Sequence, residues 1–141
     1  MKTLLLSVAL ILVAPLSFSQ TSESLKKRIQ EHYMAIHAGD MDAIESHHLQ
    51  EFSIFPGNGS ALWESGWKET LEKMGASIEY PKPNVVMKHF SAQIYNNVGI
   101  ATFYLDGSYN DEQGLWRVTA VWVWTNETWK EAHHHESKLK Y

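Results

Sequence analysis

Cysteine is absent from the 141 residues, so no disulfide braces the chain and no thiolate can act as nucleophile or metal ligand. Positive charge is sparse and scattered. Twelve Lys and Arg stand against sixteen Asp and Glu, a net charge of −4 without a basic block, which argues against nucleic acid or an anionic membrane as partner. The eight glycines never gather into a phosphate-cradling loop, and no nucleophile elbow occurs. The longest apolar run, Thr3 to Leu16, is too short for an ordinary membrane span.

That run follows Lys2 and precedes Ser17-Phe18-Ser19, which together make the positive start, apolar stretch and small-x-small site of an export signal. Cleavage before Gln20 is expected. Residues 1–19 are then a signal peptide and 20–141 a single domain, periplasmic or secreted, with no stable membrane insertion after cleavage.

Aromatic residues and histidine are plentiful. The 12% aromatic content, with six Trp and six Tyr, points to a large apolar interior that can enclose an apolar cavity. Leu25, Ile29, His32/Tyr33 and Ile36 recur at helical spacing, with Ser22 or Ser24 as cap and Gly39 as terminator. Asp40 caps a second helix over 41–49, whose end His47-His48 suits the negative pole of the helix dipole. Phe52 and Ile54 then read as a short strand running into the turn at Pro56-Gly57-Asn58-Gly59. A third helix is predicted over 65–75, flanked by Trp63 and Trp67 as core residues. After Pro81-Lys82-Pro83 come four strands, near 84–94, 98–109, 115–125 and 128–138, whose short polar connections imply antiparallel hairpins. Helices first and a meander afterwards predict an α+β domain with helices covering one face of the sheet.

The run from Trp129 through Ser137 carries three consecutive histidines between two glutamates. Strict alternation along a strand sends Ala132, His134 and Glu136 to one face and Glu131, His133, His135 and Ser137 to the other. His133 and His135 could share a transition metal with His89 or Glu131 as third ligand, but no third ligand is fixed by the spacing, so no metal and no cofactor are expected. Asn58-Gly59-Ser60 and Asn126-Glu127-Thr128 match the glycosylation triplet in turns.

Residues Ile29 through Ile44, Arg117 through Trp122 and Trp129 through Ser137 resemble the nuclear transport factor 2-like superfamily and, within it, the SnoaL-like domains. The resemblance spans 25–139. It implies a cone-shaped fold in which three N-terminal helices pack in a strongly curved, mostly antiparallel sheet, with a pocket in the cone and a tendency to homodimerise through the sheet. It implies no single activity, since the superfamily holds enzymes and assembly domains alike. Laid on the ketosteroid isomerases, the chain puts His32 at their oxyanion-hole tyrosine, Pro56 at their general base and Ala120 at their protonated aspartate. Pro56 accepts no proton and Ala120 donates none, so the steroid-isomerase mechanism is disfavoured. The kinase association domains of the superfamily look similar over Trp129 to Ser137 and carry a pocket arginine at Glu136, a reversal of charge that disfavours an acidic ligand.

The same comparison turns Ala120 toward the pocket, and with it Val118, Trp122 and Trp124, while Ala132, His134 and Glu136 follow on the next strand and Phe103 and Leu105 on the preceding one. His32, His134 and Glu136 are the candidate catalytic residues, a histidine–carboxylate set suited to acid–base work. Phe103, Leu105, Val118, Ala120, Trp122, Trp124 and Ala132 are the candidate ligand-binding wall. The expected function is binding of a small, largely apolar molecule; the alternatives are an isomerase, hydratase or dehydratase type enzyme and a homodimeric assembly domain without turnover.

Overall fold

In the computed structural model, residues 20–57, 59, 61–64, 85–109 and 112–140 are described. Thr21 opens helix α1 (Ser22–Ala38): its hydroxyl accepts from Ser24 N, while Ser24 reaches back to the Thr21 backbone in a reciprocal capping box. The cap is thus one residue earlier than Ser22, and Ser24 is its counterpart. Gly39 ends α1 at φ 73, a left-handed turn that glycine adopts without steric cost. Asp40 caps α2 (Met41–Ser46), as its short acceptor side chain predicts. This second helix is shorter than expected. His47 closes it, and His48 already begins strand β1 (His48–Phe55).

The hairpin strands follow as β2 (Val85–Tyr95), β3 (Val98–Tyr109), β4 (Glu112–Thr125) and β5 (Thr128–Lys138). Strands β2 to β5 pair antiparallel in sequence, and β1 adds to the outside of β5 in parallel, giving the order β1-β5-β4-β3-β2. The result is an α+β fold with a five-stranded mixed sheet. Two helices are seen among the described residues; the third helix expected over 65–75 and the signal peptide expected over 1–19 lie outside them.

Helix α1 lays Leu25, Ile29 and Tyr33 on one face of the sheet, where they join Ala101, Phe103, Leu105, Trp116, Val118, Ala120, Trp122 and Trp129 in one core. The alternation read from β3 and β4 is the alternation observed. Two hydrogen bonds fasten α1 to β5: Trp129 Nε1 donates to Ser24 Oγ at 3.0 Å, and Arg28 Nε to the Trp129 carbonyl at 3.2 Å.

Strand β5 departs from strict alternation. Trp122 faces Glu131 across the β4–β5 ladder, but the next partner of β4, Val121, faces His133, so Ala132 is an inserted bulge residue. Glu131 therefore shares the buried face with His134 and Glu136, and Ala132 leaves it. This reverses the assignment of both residues made from simple periodicity.

Candidate functional site

The bulge and the α2–β1 junction together bring six ionisable side chains into the interior. His32 enters from the buried stripe of α1, His47 and His48 from the junction, and Glu131, His134 and Glu136 from β5. Their exposures run from 1% for Glu131 to 5% for His47 and His48.

Glu131 sits at the centre. Its Oε1 accepts the Nδ1–H of His134 at 2.8 Å, and His134 directs its other ring nitrogen at Glu136 Oε2, 3.4 Å away. Glu136 in turn takes the backbone N–H of Gly57 at 2.9 Å. Around Oε2 of Glu131 stand His48 Nε2 at 3.2 Å and His32 Nε2 at 4.0 Å. His48 is within ion-pair range, yet Oε2 accepts no aligned hydrogen bond. The far nitrogens of both rings are held. His48 Nδ1 donates to the Ile44 carbonyl at 2.7 Å, and His32 Nδ1 lies 3.3 Å from His47 Nδ1.

Burial opposes charge on His134, but Glu131 beside it, the hydrogen bonds to both carboxylates and the charge of Glu136 outweigh that and push its pKa up to about 10. Burial also works against the Glu131 carboxylate, which His134, hydrogen-bonded to it, and the neighbouring His48 and His32 nonetheless hold well below the usual carboxylate range. Burial and the adjacent His48 push His32 well below 6.5 against the pull of Glu131. Burial and Arg28 take His47 down to about 4. At neutral pH the site thus combines a fixed Glu131–His134 ion pair with neutral His32 and His47. A group titrating near 10 is poorly matched to proton shuttling at pH 7, so His134 acts here as a charged donor, whereas neutral His32 offers a lone pair.

Of the residues singled out from sequence, His32, His134 and Glu136 do come together. Phe103, Leu105, Val118, Ala120 and Trp122 are buried on the same face, Trp124 is partly buried at the sheet end with its ring centroid 5.3 Å from that of Trp129, and Ala132 stands apart at the bulge. Sequence reasoning missed Glu131, His47 and His48 as site members. His133 is half-buried against Ser53 and His135 exposed; their suggested third ligands do not serve them, since Glu131 points inward and β4 and β3 separate β5 from the strand of His89.

Residues 25–141 match the family described as SnoaL-like domain. The chain belongs to the SnoaL-like domain family. Its fold recurs in a candidate ketosteroid isomerase from Parabacteroides distasonis (19% identity over 90% of this chain and 94% of that one, TM-score 0.71). It recurs also in a CaMKII hub from S. rosetta (18%, 86% and 98%, TM-score 0.71) and in a candidate dehydratase of the NTF2-like family from Streptomyces avermitilis (18%, 84% and 96%, TM-score 0.70). At these identities the likeness is one of fold. No curated protein sequence matches the SnoaL-like chain. Among the described residues, the buried polar atoms of the SnoaL-like domain that make no aligned hydrogen bond include Glu131 Oε2 and the Nε1–H of its cross-strand neighbour Trp122.

Proposed function

We propose that this SnoaL-like protein is exported and binds a small, largely apolar molecule whose one polar group is received by the histidine–glutamate cluster. The observation that carries the reading is the pair Trp122 and Glu131, a buried donor and a buried acceptor, each without a hydrogen bond. Leaving both unmet costs roughly 1–3 kcal/mol each, and a ligand hydroxyl, able to accept from one and donate to the other, would remove both penalties. Six ionisable groups in a core that apolar side chains could fill as well also favour a functional origin over a structural one. The apolar part of the ligand would lie against Phe103, Val118 and Ala120. Export rests on the signal-like residues 1–19.

The test is a comparison of native and denatured mass for protein isolated from its own host. A stoichiometric small molecule lost on denaturation, and retained less by Trp122→Phe, supports the reading. Protein that stays bare and binds no member of a hydroxylated apolar library refutes it.

Neutral His32 favours a second reading, acid–base turnover of that same ligand with His32 as proton acceptor and charged His134 stabilising developing negative charge. A homodimer through the outer face of the sheet is also proposed. Its support is Phe55, 40% exposed, whose ring lies 5.8 Å from His133 and 5.4 Å from His135 and extends an aromatic patch along β1 and β5.

A further inference from the structure

The tautomer of His48 is fixed by its surroundings. A carbonyl oxygen can only accept, so the 2.7 Å contact to Ile44 O places a proton on Nδ1. The other ring nitrogen, Nε2, is turned to Glu131 Oε2 at 3.2 Å. His32 Nε2 approaches the same oxygen to 4.0 Å. Three potential ligand atoms thus converge on one buried point, where a cation would be met by the carboxylate charge and by the lone pair of each imidazole that gives up its Nε2 proton.

We propose that His32 Nε2, His48 Nε2 and Glu131 Oε2 are the protein ligands of a divalent first-row transition metal ion of the Zn2+ type, with a further coordination position open to an oxygen donor. One ligand atom from each of the three residues lies within 4.8 Å of the other two. Tetrahedral zinc, with bonds of 2.0–2.1 Å, sets its ligand atoms about 3.3 Å apart, so the His48–Glu131 edge already fits and the other two edges close by small side-chain movements. Two imidazoles and one carboxylate form a ligand set known to suit this ion class.

The atoms behind the ligands are arranged as a metal site requires. Ile44 O holds the far nitrogen of His48, His47 Nδ1 stands at 3.3 Å from that of His32, and His134 donates to the second oxygen of Glu131. Such outer partners fix ring orientation and tautomer, and all three ligands have one. Burial of the three side chains keeps competing water from the ion. By contrast, His133 and His135, the pair that sequence spacing draws attention to, face outward without a third ligand among the described residues.

A metal would take the same Glu131 Oε2 that the small-molecule reading gives to the ligand hydroxyl, so the two readings compete at that oxygen, and a metal that binds with no organic ligand present separates them. The metal also competes with His32 as a proton acceptor, since both use the same lone pair. The experiment is titration of tag-free, chelator-treated protein with Zn2+ and Co2+. One equivalent should bind per chain, raise Tm, and with Co2+ give the visible absorption of a low-coordinate site. Glu131→Gln and His32→Asn should each weaken Zn2+ binding by at least about tenfold, and the surface variant His133→Asn/His135→Asn should leave it unchanged. X-ray absorption on that surface variant avoids any loss of folding in the core variants and should show two imidazoles and an oxygen on the zinc. Absence of binding to the folded protein, a shell without two imidazoles, or loss of binding in the surface variant would each overturn the proposal.

Discussion

His134 and Glu131 are three residues apart on one strand, yet the imidazole Nδ1–H reaches the carboxylate at 2.8 Å. In an unbroken strand they would point to opposite faces; the extra residue Ala132 puts them on the same one. His134 also faces Glu136, so a single positive charge sits between two buried negative ones. His134→Gln should leave both carboxylates short of a counter-charge and cost about 3–5 kcal/mol, read by urea denaturation. Glu136→Gln should cost less, because its contact to His134 is longer at 3.4 Å and an amide oxygen can still accept from Gly57 N–H. Equal losses for the two variants would contradict this ordering.

Stability should peak near neutral pH in protein kept metal-free with chelator. The folded pKa of His134 is raised to about 10 from 6.5, so its contribution is complete below pH 6.5 and is lost as pH rises through 10. His47 is lowered to about 4 and His32 is also lowered, so their contributions are complete above pH 6.5 and are lost as pH falls toward and below 4. Thermal melts across pH 4 to 10 should show both limbs, and His134→Gln should flatten the alkaline one alone. A profile level from pH 6.5 to 9 in the parent protein would show that His134 is not held charged.

Gly57 lies where no side chain fits. A Cβ there would stand 2.6 Å from Trp116 Cζ3 and 3.1 Å from Glu136 Cγ. Gly57→Ala should therefore destabilise by about 1–3 kcal/mol and disturb the Glu136 end of the cluster. Unfolding measurements check the first effect and the pH of the alkaline limb the second.

At the β4–β5 turn the reverse change should help. Asn126 and Glu127 both have positive φ, 49 and 60, the pairing of a two-residue turn that favours glycine in second place. Glu127→Gly should raise stability by about 1 kcal/mol, seen as a higher Tm, by removing the steric cost of a Cβ in the left-handed region. A lower Tm would mean that Glu127 makes a compensating contact.

The proposed dimer places His133 and His135 between copies. His133→Asp/His135→Asp, adding buried negative charge to such an interface, should shift light scattering from dimer to monomer mass; an unchanged dimer would exclude that face.

The elements legible in the sequence were those set by local pattern. Alternating apolar residues and short polar turns gave β3 and β5 their ends, and Gly39 and Asp40 marked the break between the helices. Glu131 was illegible as a site residue because period-two reasoning has no means of detecting a bulge, and the only local trace, Ala132, is a small residue like many others. His48 was hidden for a different reason. Its strand is made by pairing with β5, far along the chain, so a local reading carries the helical pattern of Met41–Ser46 on through His47-His48. His32, His134 and Glu136 were found because the family resemblance supplied the inward face that periodicity alone leaves open.

The parallel pairing of β1 with β5 sets a timetable for the chain. His47 and His48 leave the ribosome roughly eighty residues before Glu131, and His32 roughly a hundred, while β1 has only the isolated bridge of Ile54 to Trp63 among the described residues until β5 exists. Closure of the sheet must therefore wait for a contact of high sequence separation, the slow kind of folding event. Until β5 arrives the three histidines lack the carboxylate they share, and strand closure and assembly of the buried cluster then become a single step.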